Sequence, residues 1–169
     1  MSTDFTASIE DYLEAIHHLS RERHVARGKD IAKRLSVKPA SVSGALHALA
    51  ERRLVNYEPY GYVTLTPEGI RAAERIVQRH ETLSRFFREV LNVEGPTAEA
   101  NACRIEHAAD DALTRRLACF VEFMTSSSAP ARRLPGAFRD YCHSQSRSAA
   151  CTGCAIEINP KPPRKTERP

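Results

Sequence analysis

Residues 29–53 restrict the fold of this chain more than any other stretch. Ile31, Ala32 and Leu35 follow Gly28 at helical spacing, and Ser36-Val37-Lys38-Pro39 breaks that short helix. Pro39, whose ring presets the first helical φ, opens another helix. In this second helix Val42, Ala45, Leu46 and Leu49 face inward, while Ser41, Ser43, His47 and Arg52 stay outside with Lys38 just ahead. A third helix lies upstream. There Ile9, Tyr12, Leu13, Ile16 and Leu19 form one apolar stripe, and Ser8 with Asp11 has capping-box spacing, so a helix is expected from about 8 to 21.

Two β-prone runs follow, Leu54-Val55-Asn56-Tyr57-Glu58 and Tyr62-Val63-Thr64-Leu65, separated by Pro59-Tyr60-Gly61. They read as a hairpin, the wing beside a helix-turn-helix. Thr66-Pro67-Glu68 resembles a helix start, and apolar residues from Ile70 to Val90, with His80 among them, sustain helical spacing over about 25 residues. Gly95-Pro96 ends that helix and starts a shorter one carrying Cys103, Glu106 and His107. After Asp110 a last helix presents Leu113, Leu117, Phe120, Val121 and Met124, an apolar face suited to a dimer interface.

Charge is placed unevenly. Between residues 21 and 53 nine basic side chains face three acids, whereas from 81 to 124 eight acids outnumber five bases. The basic segment coincides with the helix-turn-helix, whose second helix fits the major groove while flanking cations hold phosphates. Lys38, Pro39, Ser41, Ser43 and His47 are placed towards the groove, and Arg27, Lys33, Arg52 and Tyr60 towards the DNA backbone. One such helix reads little sequence, so a homodimer on a palindromic double-stranded operator is expected. No run approaches the roughly 20 apolar residues of a membrane span, and the N-terminus lacks a signal peptide's basic and apolar regions, so a cytoplasmic protein is expected. Phosphate-loop and serine-hydrolase signatures are absent, which leaves no enzyme class indicated.

Asp11 and Glu14 lie three apart on one helical face, and Cys103, Glu106 and His107 stand at i, i+3 and i+4 on another, so each group can converge on one point. His80 joins them from the long helix. Carboxylate oxygens with imidazole nitrogen suit Mn²⁺ and Fe²⁺, and a thiolate shifts preference towards softer ions.

With these residues in view, the stretch from about 5 to 124 resembles the diphtheria-toxin-repressor and manganese-transport-regulator family. The matching motifs are Ile9-Glu10-Asp11-Tyr12-Leu13-Glu14-Ala15-Ile16, Ile31-Ala32-x-x-Leu35 with Pro39-x-Ser41-Val42-Ser43, Val63-x-Leu65-Thr66, Arg79-His80 and Cys103-Arg104-x-Glu106-His107. The resemblance implies a dimeric winged-helix repressor activated by Mn²⁺ or Fe²⁺, with the metal held by Asp11, Glu14, His80, Glu106 and His107. Cys103 stands where the manganese branch usually supplies a glutamate and is similar to the iron branch, which typically carries methionine at the place of Asp11.

The fold class expected is therefore mostly α with a small β wing. It comprises a winged helix-turn-helix domain (1–75), a helical metal-binding and dimerisation domain (76–124), a cysteine-containing extension (125–159) and a tail (160–169) too rich in proline and charge to build a core. In the extension, Cys142-His143 and Cys151-x-x-Cys154 offer a second site for Zn²⁺ or an iron-sulfur cluster. The alternative function is a thiol- or ligand-sensing winged-helix regulator, which operator binding without metal would favour. A small metalloenzyme using Glu106 as a base is the remaining rival, and no substrate-pocket signature supports it.

Overall fold

The computed structural model describes residues 5–23, 25–58, 61–126, 133, 134, 136–138 and 140. The chain divides into two compact units, Met1–Glu81 with Glu106–Ala109, and Thr82–Ile105 with Asp110–Pro169.

In the first unit, helix α1 (Ala7–Arg23) precedes a two-residue strand β1 (Ala26–Arg27), then α2 (Gly28–Leu35) and α3 (Pro39–Glu51). Strands β2 (Val55–Tyr57) and β3 (Tyr62–Leu65) lead into α4 (Pro67–Arg85). Leu13, Ile16, Ile31, Val42, Leu46, Leu49, Val63 and Ile76 are almost wholly buried in one core, to which the periodic apolar positions of α1–α3 contribute most, with β3 and α4 adding Val63 and Ile76. Helix α1 begins earlier than the Ser8 capping box suggests: the Thr6 carbonyl accepts from the Ile9 and Glu10 amides. Asp11 is thereby released from a capping role.

The turn between α2 and α3 closes through a left-handed residue, Ser36 (φ 54°). Its amide donates to the Lys33 carbonyl and that of Val37 to the Ala32 carbonyl, so the last orphan carbonyls of α2 are satisfied within two residues. Arg53 (φ 58°) repeats the device after α3, with its own amide and that of Leu54 reaching back to Ala50 and Leu49. Helix α4 starts where Thr66 Oγ accepts from the Gly69 amide at 3.0 Å while donating to the Arg53 carbonyl at 2.7 Å. Gly69 is obligatory there, because a Cβ would stand 1.9 Å from the Leu54 carbonyl oxygen.

The wing is one strand larger than a hairpin. The sheet is antiparallel in the order β1-β3-β2, with Val55, Asn56 and Tyr57 opposite Leu65, Thr64 and Val63, and Ala26 and Arg27 opposite Val63 and Tyr62. Two residues are too few to show alternation, so β1 is invisible to periodicity.

The second unit takes in the end of α4, a π-helical turn (Phe86–Val90), α5 (Gly95–Ile105) and α6 (Asp111–Thr125). The helix expected to continue to Val90 instead widens after Arg85. Apolar spacing over one turn does not separate α from π winding. Asp110 caps α6 by accepting from the Leu113 amide at 2.7 Å. Val90, Val121 and Met124 form a small core with Phe86 packed against it, while Leu113, Phe120 and Phe123 remain exposed. Among the described residues no helix is long and apolar enough to cross a membrane.

Candidate functional site

Asp11 on α1 meets Glu106 and His107 on the short 3₁₀ turn (Glu106–Ala108) that follows α5. One donor atom from each lies within 4.8 Å of the others, and all three residues belong to the first unit. Glu106 is completely buried, and its Oε1 accepts no hydrogen bond among the described residues. A carboxylate oxygen left unpaired in a protein interior costs free energy unless something positive comes to it. His107 Nε2 stands 3.5 Å from Glu106 Oε1 and 3.1 Å from an Asp11 oxygen.

The protons around these atoms can be assigned from chemistry. Glu10, buried on α1, takes a 2.5 Å ion pair from the Arg79 guanidinium and faces His107 Nδ1 with its other oxygen at 2.8 Å. A carboxylate only accepts, so Nδ1 carries a hydrogen, which leaves Nε2, the nitrogen facing Asp11, as the one that a cation can take. The same rule applies to His80, whose Nδ1 lies 2.6 Å from Glu106 Oε2 and donates to it. Three potential donor atoms, Nε2 of His107 and one oxygen each from Asp11 and Glu106, thus lie together where a cation can take the place of the Nε2 proton. Burial is the main cause that raises the Asp11 carboxyl above its ordinary value; His107 opposes that shift, and Glu14 and Glu10 add to it. A metal-free site therefore favours a proton where a divalent ion would replace it.

Of the six predicted ligands, Asp11, Glu106 and His107 converge, and His80 bonds directly to Glu106. Glu14 sits on the same face of α1 and pairs with His18 at 3.5 Å. Cys103 is exposed on α5 and belongs to the second unit. Glu10 and Arg79 are two residues at the site that stand in the motifs quoted above but were given no role there. Each adjoins a predicted ligand, Asp11 or His80, but the ion pair between them links residues 69 positions apart and requires the folded chain. Cys142, His143, Cys151 and Cys154 lie outside the described residues, as does Tyr60.

A second feature of the first unit is a groove of about 780 Å³ between α3 and the wing. Arg27, Pro39, Ser43 and His47, four of the residues that the sequence placed on a DNA interface, line it, together with Lys29, Tyr57 and Tyr62, which the sequence did not single out. His47 rests edge-on against Tyr57, with ring centroids 5.3 Å apart. Lys33, Lys38 and Ser41 are exposed nearby in sequence, whereas Arg52 lies over the Phe5 ring, 5.8 Å from its centroid, and lines a different cleft.

Two family models match the chain. Residues 4–63 match the N-terminal DNA binding domain of iron dependent repressors, and residues 66–130 match their metal binding and dimerisation domain. An uncharacterized HTH-type transcriptional regulator of Methanocaldococcus jannaschii is 40% identical over 116 residues, 68% of this chain and 93% of that protein. The HTH-type transcriptional regulator MntR of Bacillus pumilus is 35% identical over 122 residues, 72% of this chain and 84% of that protein. Among solved structures, a manganese-dependent transcriptional repressor in complex with manganese superposes with a TM-score of 0.62 at 32% identity. That match covers 68% of this chain, which spans about half, 53%, of the chain in that structure.

Proposed function

From the premise that this chain belongs to the iron-dependent repressor family, we propose that it is a homodimeric, Mn²⁺- or Fe²⁺-dependent repressor of metal-uptake genes that binds a palindromic operator in the cytoplasm. The family consists of metal-dependent DNA-binding transcriptional regulators, not enzymes. The observation that carries the reading is the convergence of Asp11, His107 and the buried, unsatisfied Glu106 oxygen on one point. Two carboxylates and an imidazole make a donor set suited to Mn²⁺ or Fe²⁺. Asp11, Glu106 and His107 hold the ion, Glu14 and His80 complete the set, and Cys103 is the sixth candidate.

A divalent ion supplies, when bound, the positive charge that lets Asp11 and Glu106 stay ionised side by side. The protein's own part is orientation. Glu10 presents His107 Nε2 as a lone pair, and His80 holds Glu106 through its second oxygen. Because Asp11 sits on α1, which packs in the same core as α2 and α3, occupancy of the site and the posture of the DNA-reading helices are thermodynamically linked. Metal and operator each tighten the other's binding, with a coupling typically about 1–3 kcal/mol. Ser43, His47 and Lys38 read the groove, and Arg27 and Lys33 take phosphates. The cysteines at 142, 151 and 154, with His143, form a separate Zn²⁺ site in this reading.

The test is anaerobic binding to a panel of DNA from the protein's own genome, titrated with Mn²⁺, Fe²⁺ and Zn²⁺, for wild type and Glu106→Ala/His107→Ala. Wild type gains affinity with Mn²⁺ or Fe²⁺ and the variant does not. Operator binding indifferent to metal in both proteins overturns the reading and restores thiol sensing. Unchanged zinc content in Cys151→Ser/Cys154→Ser removes the second site.

A further inference from the structure

Arg27 and Tyr62 are directly opposed residues of β1 and β3. The Arg27 Nη2 donates to the Tyr62 hydroxyl at 2.9 Å, and the guanidinium carbon lies 4.9 Å from the centre of the Tyr62 ring. Both line the groove beside α3 that also presents Ser43 and His47. Neighbouring Ala26 is fully buried, so the backbone that carries Arg27 is anchored in the sheet and the core. A guanidinium has five N–H donors in a fixed fork, and the Tyr62 bond uses one of them.

An arginine free to rotate must lose its side-chain freedom when it meets a phosphate. One already held by a ring face and a hydroxyl loses much less, and the unused edge of its fork matches two phosphate oxygens. Tyr62 is 53% exposed, so the pair it makes with Arg27 is open to a ligand from solvent. We propose that Tyr62 is a positioning residue of the DNA interface: it holds the Arg27 guanidinium at the rim of the groove, ready to clamp a backbone phosphate of the duplex. Tyr62 acts through Arg27 and reads no base. The inference rests on the DNA-binding reading above and adds to it a wing residue other than the Tyr60 expected from the sequence.

The experiment uses the full chain with saturating Mn²⁺ and a duplex selected by the wild-type protein from a random pool. Affinities are measured across a KCl series for wild type, Arg27→Ala, Tyr62→Phe and the double variant. Each phosphate contact contributes about 0.9 to the slope of log affinity against log salt, so Arg27→Ala flattens the slope by about that amount. Tyr62→Phe, which keeps the ring and removes the hydroxyl, weakens binding about three- to tenfold while Mn²⁺ affinity and melting temperature stay at wild-type values. In the Arg27→Ala background the same change costs less than about 1.5-fold, because the group it positions is gone.

An equal penalty in both backgrounds overturns the proposal, since Tyr62 would then act independently of Arg27. So does wild-type affinity and salt slope in Tyr62→Phe. A wild-type protein that selects no duplex under any metal overturns the DNA-binding reading itself, an outcome distinct from either.

Discussion

Replacing Glu10 with glutamine changes one oxygen to an NH₂ group and should reverse the proton pattern of the proposed metal site. Glu10 accepts from Arg79 with one oxygen and from His107 Nδ1 with the other. Arg79 can only donate, so in Glu10→Gln the remaining amide oxygen must stay towards it and the NH₂ must turn to His107. An NH₂ cannot accept from Nδ1–H. The imidazole then adopts the other tautomer, with Nδ1 accepting and the hydrogen on Nε2, the nitrogen 3.1 Å from Asp11. A protonated Nε2 cannot bind a cation.

Loss of an outer partner that fixes a ligating histidine typically costs ten- to a hundredfold in metal affinity, or about 1.4–2.7 kcal/mol. The upper end applies here, because the substitution opposes the required tautomer as well as removing its support. The assay is competition of the protein with a chelator of known Mn²⁺ affinity, beside a urea melt. The melt should show a loss of about 1–3 kcal/mol, as expected for weakening a buried, charge-assisted hydrogen-bond network. A folded Glu10→Gln protein that binds Mn²⁺ within about twofold of wild type would refute the tautomer assignment and with it the role of Glu10.

His17 is buried on α1 with Nδ1 unbonded among the described residues, and its imidazole is held below the ordinary 6.5, chiefly by burial and then by His18 and Arg21 against smaller opposing effects of Glu74 and Glu14. Its stabilising contribution is present above pH about 6.5 and lost as pH falls through the lowered folded value, so a urea series from about pH 7.5 to 5.5 should show a steeper loss in wild type than in His17→Leu; parallel losses would rule this out. Gly69→Ala, forced against the Leu54 carbonyl, should destabilise the first unit by at least about 1–3 kcal/mol, and an unchanged thermal midpoint would contradict the close approach. Ser36→Gly removes the strain of a left-handed non-glycine residue and, after the entropy cost of glycine in the unfolded chain, should stabilise by about 0.5 kcal/mol in the same melt; a loss would mean that the serine side chain contributes something its backbone geometry does not reveal.

Most of the fold was legible because each main element announces itself locally. The stripe Ile9, Tyr12, Leu13, Ile16 marks α1, Pro39 marks the start of α3, and Thr66-Pro67 marks the start of α4, since each signal acts within one or two turns of the residue that carries it. The pairing of Ala26 and Arg27 with β3 left no trace, because two residues have no period and their partners lie more than thirty positions away. At the proposed metal site, candidate donor chemistry was legible in the spacing of Asp11, Glu106 and His107 along their own segments. What holds them was not: Glu10 read as one more acid on α1, and Arg79 as one more base on α4. The residues expected to face DNA divided similarly, with Ser43 and His47 at the groove beside the wing while Arg52 turned to Phe5.

Residue type and local spacing thus settled the helices, the wing and the donor atoms available for a cation, all of which depend on interactions within a few residues. Which donors meet, which nitrogen of His107 faces Asp11, and which oxygen of Glu106 is left without a hydrogen bond were decided only when α1, α4 and the 3₁₀ turn packed together. Burial is the physical reason: in water each of these polar groups would be satisfied by solvent, and only in a closed interior does the pairing of one determine what remains for the next.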